Sequence, residues 1–335
     1  MKQTIYTIAK EAGVSIATVS RAFNNHPRIS PETKEKIFQI AEAMGYQPSA
    51  SARSLATSET QTIALVLPQI SGPFYSELIR GAESITKEQQ YHLLIYTSQD
   101  LDERDPFLSL LPTRVDGMVL GAYFSTGQYL QMLARQGIPH IILGEPDHGL
   151  EITTINPENQ EGAYRLTKHL IEEHDLRDIA FIRGPENRSH SLDRLLGYQK
   201  ALREHGITPH EEWVVLGDFT ESSGYDCARQ LLQQNNPPKA IFASNDLMAI
   251  GAMAAASQHG LSVPGDLAIV GFDDVPSARY LQPPLTTVSV ETFEQGRQAI
   301  EQLLVRIADP RIPHQQLTFP APVVVRRSCG CIPRE

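Results

Sequence analysis

The stretch from Thr7 to Asn24 constrains the fold of this chain more than any other. It reads Thr7-Ile8-Ala9-Lys10-Glu11-Ala12-Gly13-Val14-Ser15-Ile16-Ala17-Thr18-Val19-Ser20-Arg21-Ala22-Phe23-Asn24. Two short helical runs are broken at Gly13, a residue that can reverse the chain through positive φ without a Cβ clash. Thr7 reads as the N-cap of the first run, Ile8–Glu11, and Ser15 as the N-cap of the second, with Thr18 at N3. Val14 and Val19 point to a small core. Ile16, Ala17, Thr18 and Arg21 fall near the outward N-terminal face of the second helix. Ser30-Pro31-Glu32-Thr33 starts a third helix, with a Ser cap, Pro at N1 and an acid suited to the dipole. Ile37, Ile40, Ala41 and Met44 give that helix an apolar stripe, and Gly45-Tyr46 stops it. A helix, a tight turn and a capped second helix suit insertion of a short helix into the DNA major groove. A three-helix bundle with no ligand is the plainer reading of the same spacing.

Charge is placed unevenly. Residues 1–53 carry seven Lys/Arg and four Asp/Glu, a net of +3, while the whole chain is −10, so the remainder carries −13. The first part tolerates nucleic acid and the second repels it. A length of 335 residues predicts two or three domains, and 41% hydrophobic residues suffice for substantial cores. No apolar run reaches the roughly 18 residues of a membrane span, and Met1-Lys2-Gln3-Thr4 lacks a signal-peptide start. Cys227, Cys329 and Cys331 form no even framework, which suits a reducing compartment; a cytoplasmic location is expected. Cys329-Gly330-Cys331 is too short and too terminal to read as a structural zinc site. The histidines, including His169, His174 and His190, show no metal-ligand spacing. No metal and no cofactor is expected.

From residue 62 onward short apolar strands alternate with amphipathic helices. Strands are read at 62–68, 92–96, 117–121 and 140–143, and helices at 73–90 and 129–135. The rhythm restarts with helices at 162–173, 193–205, 224–234 and 246–259 and strands at 179–182, 213–216, 240–243 and 267–271. Near-continuous apolar strands between helices predict parallel sheets covered on both faces. Two such lobes leave a cleft, and ligands of open sheets gather at the carboxyl ends of strands. Phe74, Arg194, Phe219, Asn245 and Asp273 all follow strands. Aromatic faces with an Arg, an Asn and an Asp suit a neutral polyhydroxyl ligand, through stacking and bidentate hydrogen bonds. Plainer roles stay open: Asn245 or Asp246 as a helix cap, Arg194 as a salt-bridge residue, Phe219 as core, Asp273 and Asp274 as turn formers.

Between head and body, Tyr46-Gln47-Pro48-Ser49-Ala50-Ser51-Ala52-Arg53-Ser54-Leu55-Ala56-Thr57 offers a cap and then small residues. A helix this short is marginal alone. It reads as a flexible linker that folds only against a partner, two copies packing through Ala/Ser faces with Leu55 left to insert.

The stretches Ile8-Ala9-x-x-Ala12-Gly13-Val14-Ser15-x-x-Thr18-Val19-Ser20-Arg21 and Pro48-Ser49-Ala50-x-Ala52-Arg53-Ser54-Leu55 resemble the headpiece and hinge of the lactose/purine-repressor (LacI/GalR) family. Arg194-Leu195-Leu196-Gly197, Gly217-Asp218-Phe219-Thr220, Ser244-Asn245-Asp246, Val270-Gly271-Phe272-Asp273-Asp274 and Leu285-Thr286-Thr287-Val288 extend the resemblance to about residue 330. The resemblance implies an all-α helix-turn-helix headpiece (1–47) and a hinge (48–60). These join a two-lobed α/β periplasmic-binding-protein-like core with parallel sheets (61–335). The N-lobe would be about 61–157 plus 289–318, and the C-lobe about 158–288 plus 319–335.

By the same resemblance the chain is a ligand-responsive transcriptional regulator. It would repress from a palindromic double-stranded operator as a homodimer and be released by a small sugar. The alternative is a purine or other metabolite acting as co-repressor. Thr7, Ser15, Ile16, Ala17, Thr18, Arg21, Asn24, Arg28, Ala52, Arg53 and Leu55 would contact DNA. Ile16 and Ala17 cannot make bidentate base contacts and favour thymine methyls and shape, so Arg21 is the candidate for guanine. Leu55 would wedge into the minor groove. Phe74, Arg194, Phe219, Asn245 and Asp273 would contact the effector.

Glu158 and Gly144 depart from family patterns, so the pocket need not hold the same sugar. Tyr75, Leu78, Ile79 and the apolar face of 247–256 are dimer candidates. No leucine-heptad tail follows Arg326, so a dimer is expected. No nucleophile elbow or paired carboxylates stand out, so no enzyme is expected. A periplasmic sugar-binding protein shares the two-lobe plan but needs export and carries no DNA head.

Overall fold

The computed structural model describes residues 4–23, 26–46, 60–97, 110–121, 127–145, 151–186 and 188–331. Contacts divide the chain into two units, Met1–Gln61 and Thr62–Glu335.

In the first unit α1 spans Ile5–Ala12, α2 Ile16–Phe23 and α3 Pro31–Ala43. Helix α1 starts earlier than its sequence suggests. Thr4 is the N-cap and Thr7 sits at N3, where its Oγ1 accepts from Thr4 N (3.0 Å) and donates to Thr4 O (2.7 Å). Ser and Thr serve either end of such a box, so composition alone misplaced the cap by one turn. Gly13 takes φ 71, closing α1 so that α2 can begin at Ile16. Ser15 Oγ accepts from Thr18 N at 3.1 Å, and Ser30 Oγ from Thr33 N at 3.2 Å. Ile8, Ala9, Ala12, Val19, Ala22, Ile37 and Ala41 are buried together.

The second unit contains a parallel sheet in the order β11-β5-β4-β3-β1-β2. Its strands are β1 Thr62–Leu67, β2 His92–Thr97, β3 Gly117–Gly121, β4 His140–Leu143, β5 Thr154–Pro157 and β11 Gln316–Phe319. Helices α4 Pro73–Glu88, α5 Gly127–Arg135 and α10 Thr292–Ala308 belong to this layer. The other parallel sheet runs β7-β6-β8-β9. It comprises β6 Ile179–Arg183, β7 Val214–Leu216, β8 Ala240–Ala243 and β9 Ala268–Val270, with helices α6 Asn159–His174, α7 Ser189–Glu204, α8 Glu221–Leu232 and α9 Asp246–Gln258. A small antiparallel pair, β10 Thr287–Val288 with β12 Val323–Val324, joins two late segments of the chain. Trp213 belongs to a 3-10 turn before β7, not to the strand, and is buried beneath it.

Fully buried strands such as Ile63–Leu67 and Ala240–Ala243 explain the unbroken apolar runs, because helices cover both faces. Helix pairs pack through glycine on both sides. A Cβ on Gly224 would strike the backbone of Met248, and one on Gly251 the backbone of Glu221. Leu78 and the buried face of α9 fill lobe cores, which removes Leu78, Met248, Ala249, Ala252 and Ala255 from any dimer surface. Periodicity marked these faces as apolar without saying what covers them. Tyr75 and Ile79 stay half-buried against the same core.

Candidate functional site

In the head, the N-terminal face of α2 stands in solvent. Ile16 is 40% exposed, and Ser15, Ala17 and Arg21 are also exposed, with Thr18 half-covered. Val19 and Ala22, on the opposite side, are fully buried, so the anchoring of α2 fixes which side chains point out. The first α2 amides are partly satisfied by Ser15, leaving a helix end with its positive dipole and Arg21 one turn further along. Thr7 and Arg28 are exposed as well. Asn24, Ala52, Arg53 and Leu55, and the hinge 48–59, lie outside the described residues.

In the second unit the carboxyl ends of β6, β7, β8 and β9 bring the expected polar residues together. Arg194, on α7, is 4% exposed and Asp273, after β9, is 9% exposed. Arg194 Nη2 lies 3.1 Å from Asp273 Oδ1. Arg194 Nε donates to Asn159 Oδ1 at 2.9 Å, Nη1 donates to Ser244 O at 2.5 Å, and the guanidinium lies 3.8 Å from the centroid of the Phe272 ring. Two of its donors therefore hold α6 and the end of β8 against α7, and its charge faces the loop after β9.

The Asp273 side is less satisfied. Its Oδ1, though close to Arg194, accepts no well-directed hydrogen bond, and the buried Ser191 Oγ and Ser244 Oγ also have no partner in the protein. Ser191 lies one turn before Arg194, and Ser244 supplies the carbonyl that Arg194 holds. Buried polar atoms without partners are rare, and a group of them marks a place for an external donor or acceptor. Burial pushes the Asp273 carboxyl up to about 6, against the pull of Arg194.

Asn245 is the N-cap of α9: its Oδ1 accepts from Met248 N at 2.9 Å, while its Nδ2 donates to Phe219 O at 3.0 Å. The capping role weighed in the sequence is thus its geometry, and it also ties down the Phe219 loop. Asp246, fully buried, accepts from Val275 N (2.8 Å) and Thr287 Oγ1 (2.6 Å) and holds the loop after β9. Phe219 (φ 70) and Asp273 (φ 111) both occupy left-handed backbone, a strain of order 1–3 kcal/mol each that tends to collect at binding sites. Asp274 pairs with Arg326 at 2.6 Å.

His190, whose place after β6 suggests a pocket loop, lies instead in the first turn of α7. It stacks on Phe219 with centroids 5.3 Å apart and planes at 19°. Burial, with Arg194 and Arg188, pushes its imidazole down to about 3, so it presents a neutral flat ring. Phe74, at the start of α4, is half-buried against the core of the β6–β9 layer, and its ring meets Tyr75 edge-on at 5.3 Å. Sequence reasoning also missed the grip of Asn159 on Arg194, because the two are 35 residues apart. Beside Asn159 lies a hollow of about 860 Å³ whose walls include Glu145, Asn156, Glu158 and Asp193. Burial and Glu145 push the Asp193 carboxyl up to about 6, against Arg194.

One group of potential metal ligands converges among the described residues: His169, His174, Cys329 and Cys331. The short Cys-Gly-Cys spacing and the scattered histidines gave no sign of it, since each supplies only half of the set.

Residues 4–49 match the family model of bacterial regulatory proteins of the lacI family, and residues 167–329 that of the periplasmic binding protein-like domain. The chain is 36% identical to the HTH-type transcriptional repressor PurR of Edwardsiella ictaluri (strain 93-146), over 97% of this chain and 96% of that protein. It is similar to the solved complex of the transcriptional regulator CelR with cellobiose (30% identity, TM-score 0.75, covering 97% of this chain and 99% of the other). It is also similar to the lac repressor dimer bound to operator and the anti-inducer ONPF (25% identity, TM-score 0.86, covering 98% and 99%). A helix-turn-helix head and a two-lobed α/β core define a ligand-responsive transcriptional regulator. This chain belongs to the lacI family of bacterial regulatory proteins.

Proposed function

We propose that this regulator represses transcription as a homodimer on a palindromic operator and is released by a small polyhydroxyl effector. The observation that carries the reading is the buried Arg194–Asp273 pair with its under-satisfied carboxylate and serines, beside the flat faces of Phe219 and His190. Carboxylate acceptors paired with aromatic faces suit the hydroxyl and C–H surfaces of a sugar. Phe74, Arg194, Phe219, Asn245 and Asp273 are the proposed contacts. The cellobiose bound in the similar CelR structure supports this chemistry.

On the DNA side, Ser15, Thr18, Thr7 and Arg28 would meet the backbone, Ile16, Ala17 and Arg21 the base edges, and Asn24, Ala52, Arg53 and Leu55 the remainder of the half-site. The lac repressor dimer on its operator supports both the partner and the stoichiometry. The head would be 1–47, the hinge 48–60 and the core 61–335. A cytoplasmic location follows from the need to reach DNA. No enzyme activity is part of this reading.

A purine co-repressor is the second reading, favoured by the identity to PurR and by the same aromatic faces, which would stack on a base. Thermal-shift screening of sugars, nucleosides and purine bases, followed by operator gel shifts with each stabilising compound, separates the two. A sugar that stabilises the protein and weakens the operator complex supports release. A purine that stabilises it and tightens the complex replaces the first reading.

A further inference from the structure

The two Cys and two His of the convergent group come from segments far apart in sequence, with 157 residues between His174 and Cys331 and 160 between His169 and Cys329. His169 lies in the last turns of α6 and His174 is its final residue, after which Asp175 turns left-handed (φ 48). Cys329 and Cys331 lie in the segment that follows β12. Gly330 between them has φ 109, and a Cβ there would press on the His174 ring at 3.2–3.3 Å. Only glycine lets the Cys-Gly-Cys loop fold against that ring without strain.

The distances are those of a coordination shell. His174 Nε2 is 3.2 Å from Cys331 Sγ, and His169 Nε2 is 3.5 Å from Cys331 Sγ and 3.7 Å from Cys329 Sγ. All four ligand atoms lie within 4.8 Å of one another. Around a tetrahedral zinc, with Zn–S about 2.3 Å and Zn–N about 2.0–2.1 Å, the S···N edge is about 3.6 Å and the S···S edge about 3.8 Å. The chain thus already holds its donors close to the edges of that tetrahedron.

The scaffold behind the donors is built. Thr286 Oγ1 donates to Cys329 Sγ at 3.1 Å, an outer contact that orients a thiolate. Thr286 N donates to Ser328 Oγ at 2.8 Å, Ile269 N donates to Ser328 O at 3.0 Å, and Arg326 pairs with Asp274. These bonds fix the loop independently of any ion. Cys329 is buried and the other three are half-buried, while a hollow of about 510 Å³ bordered by His174, Cys329 and Gly330 gives an ion access.

We infer that His169, His174, Cys329 and Cys331 form a tetrahedral structural zinc site that clamps the segment after β12 to the end of α6. Two thiolates and two imidazoles select zinc among common divalent ions, and four protein ligands leave no position open for chemistry. The clamp fastens two elements that also serve the effector site. Helix α6 carries Asn159, which holds Arg194, and the clamped segment carries Arg326, which holds Asp274 beside Asp273. Zinc binding therefore stabilises the core as a whole instead of taking part in ligand contact.

The test uses the untagged full-length protein, purified with reductant. Elemental analysis is expected to find about one zinc per chain, retained through gel filtration. Replacement by Co²⁺ is expected to give thiolate-to-cobalt charge-transfer absorption and the intense visible bands of a tetrahedral site. Cys331→Ser and His174→Ala are expected to lose the bound zinc and the drop in melting temperature that a strong chelator causes in the wild type. Folded wild-type protein that keeps no zinc after stoichiometric addition overturns the assignment. So does a cobalt spectrum without thiolate charge transfer, or a Cys329–Cys331 disulfide found by mass in the freshly reduced protein. The cobalt spectrum and zinc content are read on the wild type, so they decide the question even where a variant fails to fold.

Discussion

Arg194 and Asp273 meet as a buried pair, Nη2 to Oδ1 at 3.1 Å, from a helix and a loop that serve different strands. The arginine is committed on three sides to Asn159, Ser244 and Asp273, while the carboxylate keeps accepting capacity. In the proposed reading Arg194 shapes the site while contributing to it, and Asp273 supplies the spare acceptor for an effector hydroxyl.

Asp273→Asn tests that division of labour. Hydrogen bonds to a charged group are worth about 1.5–3 kcal/mol, so effector affinity measured by calorimetry is expected to fall roughly 10- to 150-fold. Operator affinity without effector is expected to stay within about threefold in gel shifts. An unchanged effector dose response removes Asp273 from the site. Arg194→Ala is a poor substitute, since it also strips Asn159 Oδ1 and Ser244 O of their donor, whereas Asn at 273 keeps the shape and an acceptor oxygen.

Leu55→Ala addresses the hinge. A side chain wedged between base steps contributes only where the DNA bends around it. Specific operator binding is expected to weaken by about tenfold or more, a loss of about 1.4 kcal/mol or more, while binding to random DNA changes little. Equal loss on both sequences would sink the wedge assignment.

Gly251→Ala probes the packing of α8 on α9. The added methyl meets the Glu221 carbonyl and the Tyr225 amide, backbone atoms that cannot swing aside. Overpacking of this kind costs about 1–3 kcal/mol, to be read as a lower midpoint in urea with an unchanged slope. Gly13→Ala fails for a different reason: nothing crowds its Cβ, but φ 71 penalises any side chain.

Asp193→Asn should alter the pH dependence of stability. Burial and Glu145 raise the folded-state carboxyl from the usual 3.8 to about 6. Between those values the folded state binds more protons than the unfolded one. The contribution is therefore fully present below about 3.8 and lost as pH rises through about 6. His190, held down at about 3 by burial, pulls the other way as pH falls from 6.5. The relevant quantity is thus the difference between wild type and variant. The wild type is expected to gain melting temperature relative to Asp193→Asn on acidification from pH 7 to pH 4. Parallel curves would show that Asp193 titrates normally.

Much of this architecture was legible in the sequence, because period and punctuation are local. Gly13, Ser15 and the Ser30-Pro31 pair placed the head helices, with only the Thr4–Thr7 box shifting a boundary. Unbroken apolar runs such as Ile63–Leu67 announced strands buried on both faces. Strands as short as Thr154–Pro157, Thr287–Val288 and Val323–Val324 carry too little periodic signal to be read alone, and pairing alone makes them strands.

By itself, the sequence determined the capped helix-turn-helix, the strand–helix rhythm of the core and the polar residues that end its strands. Only the tertiary structure decided which of those residues meet. Asn159 reaches Arg194 across 35 residues, His190 lies flat on Phe219, and His174 faces Cys331 across 157. Local patterns report the conformation of one element, whereas a site requires side chains from several elements to share one small volume. Sheet order and helix packing bring them together, and no spacing along the chain encodes that directly.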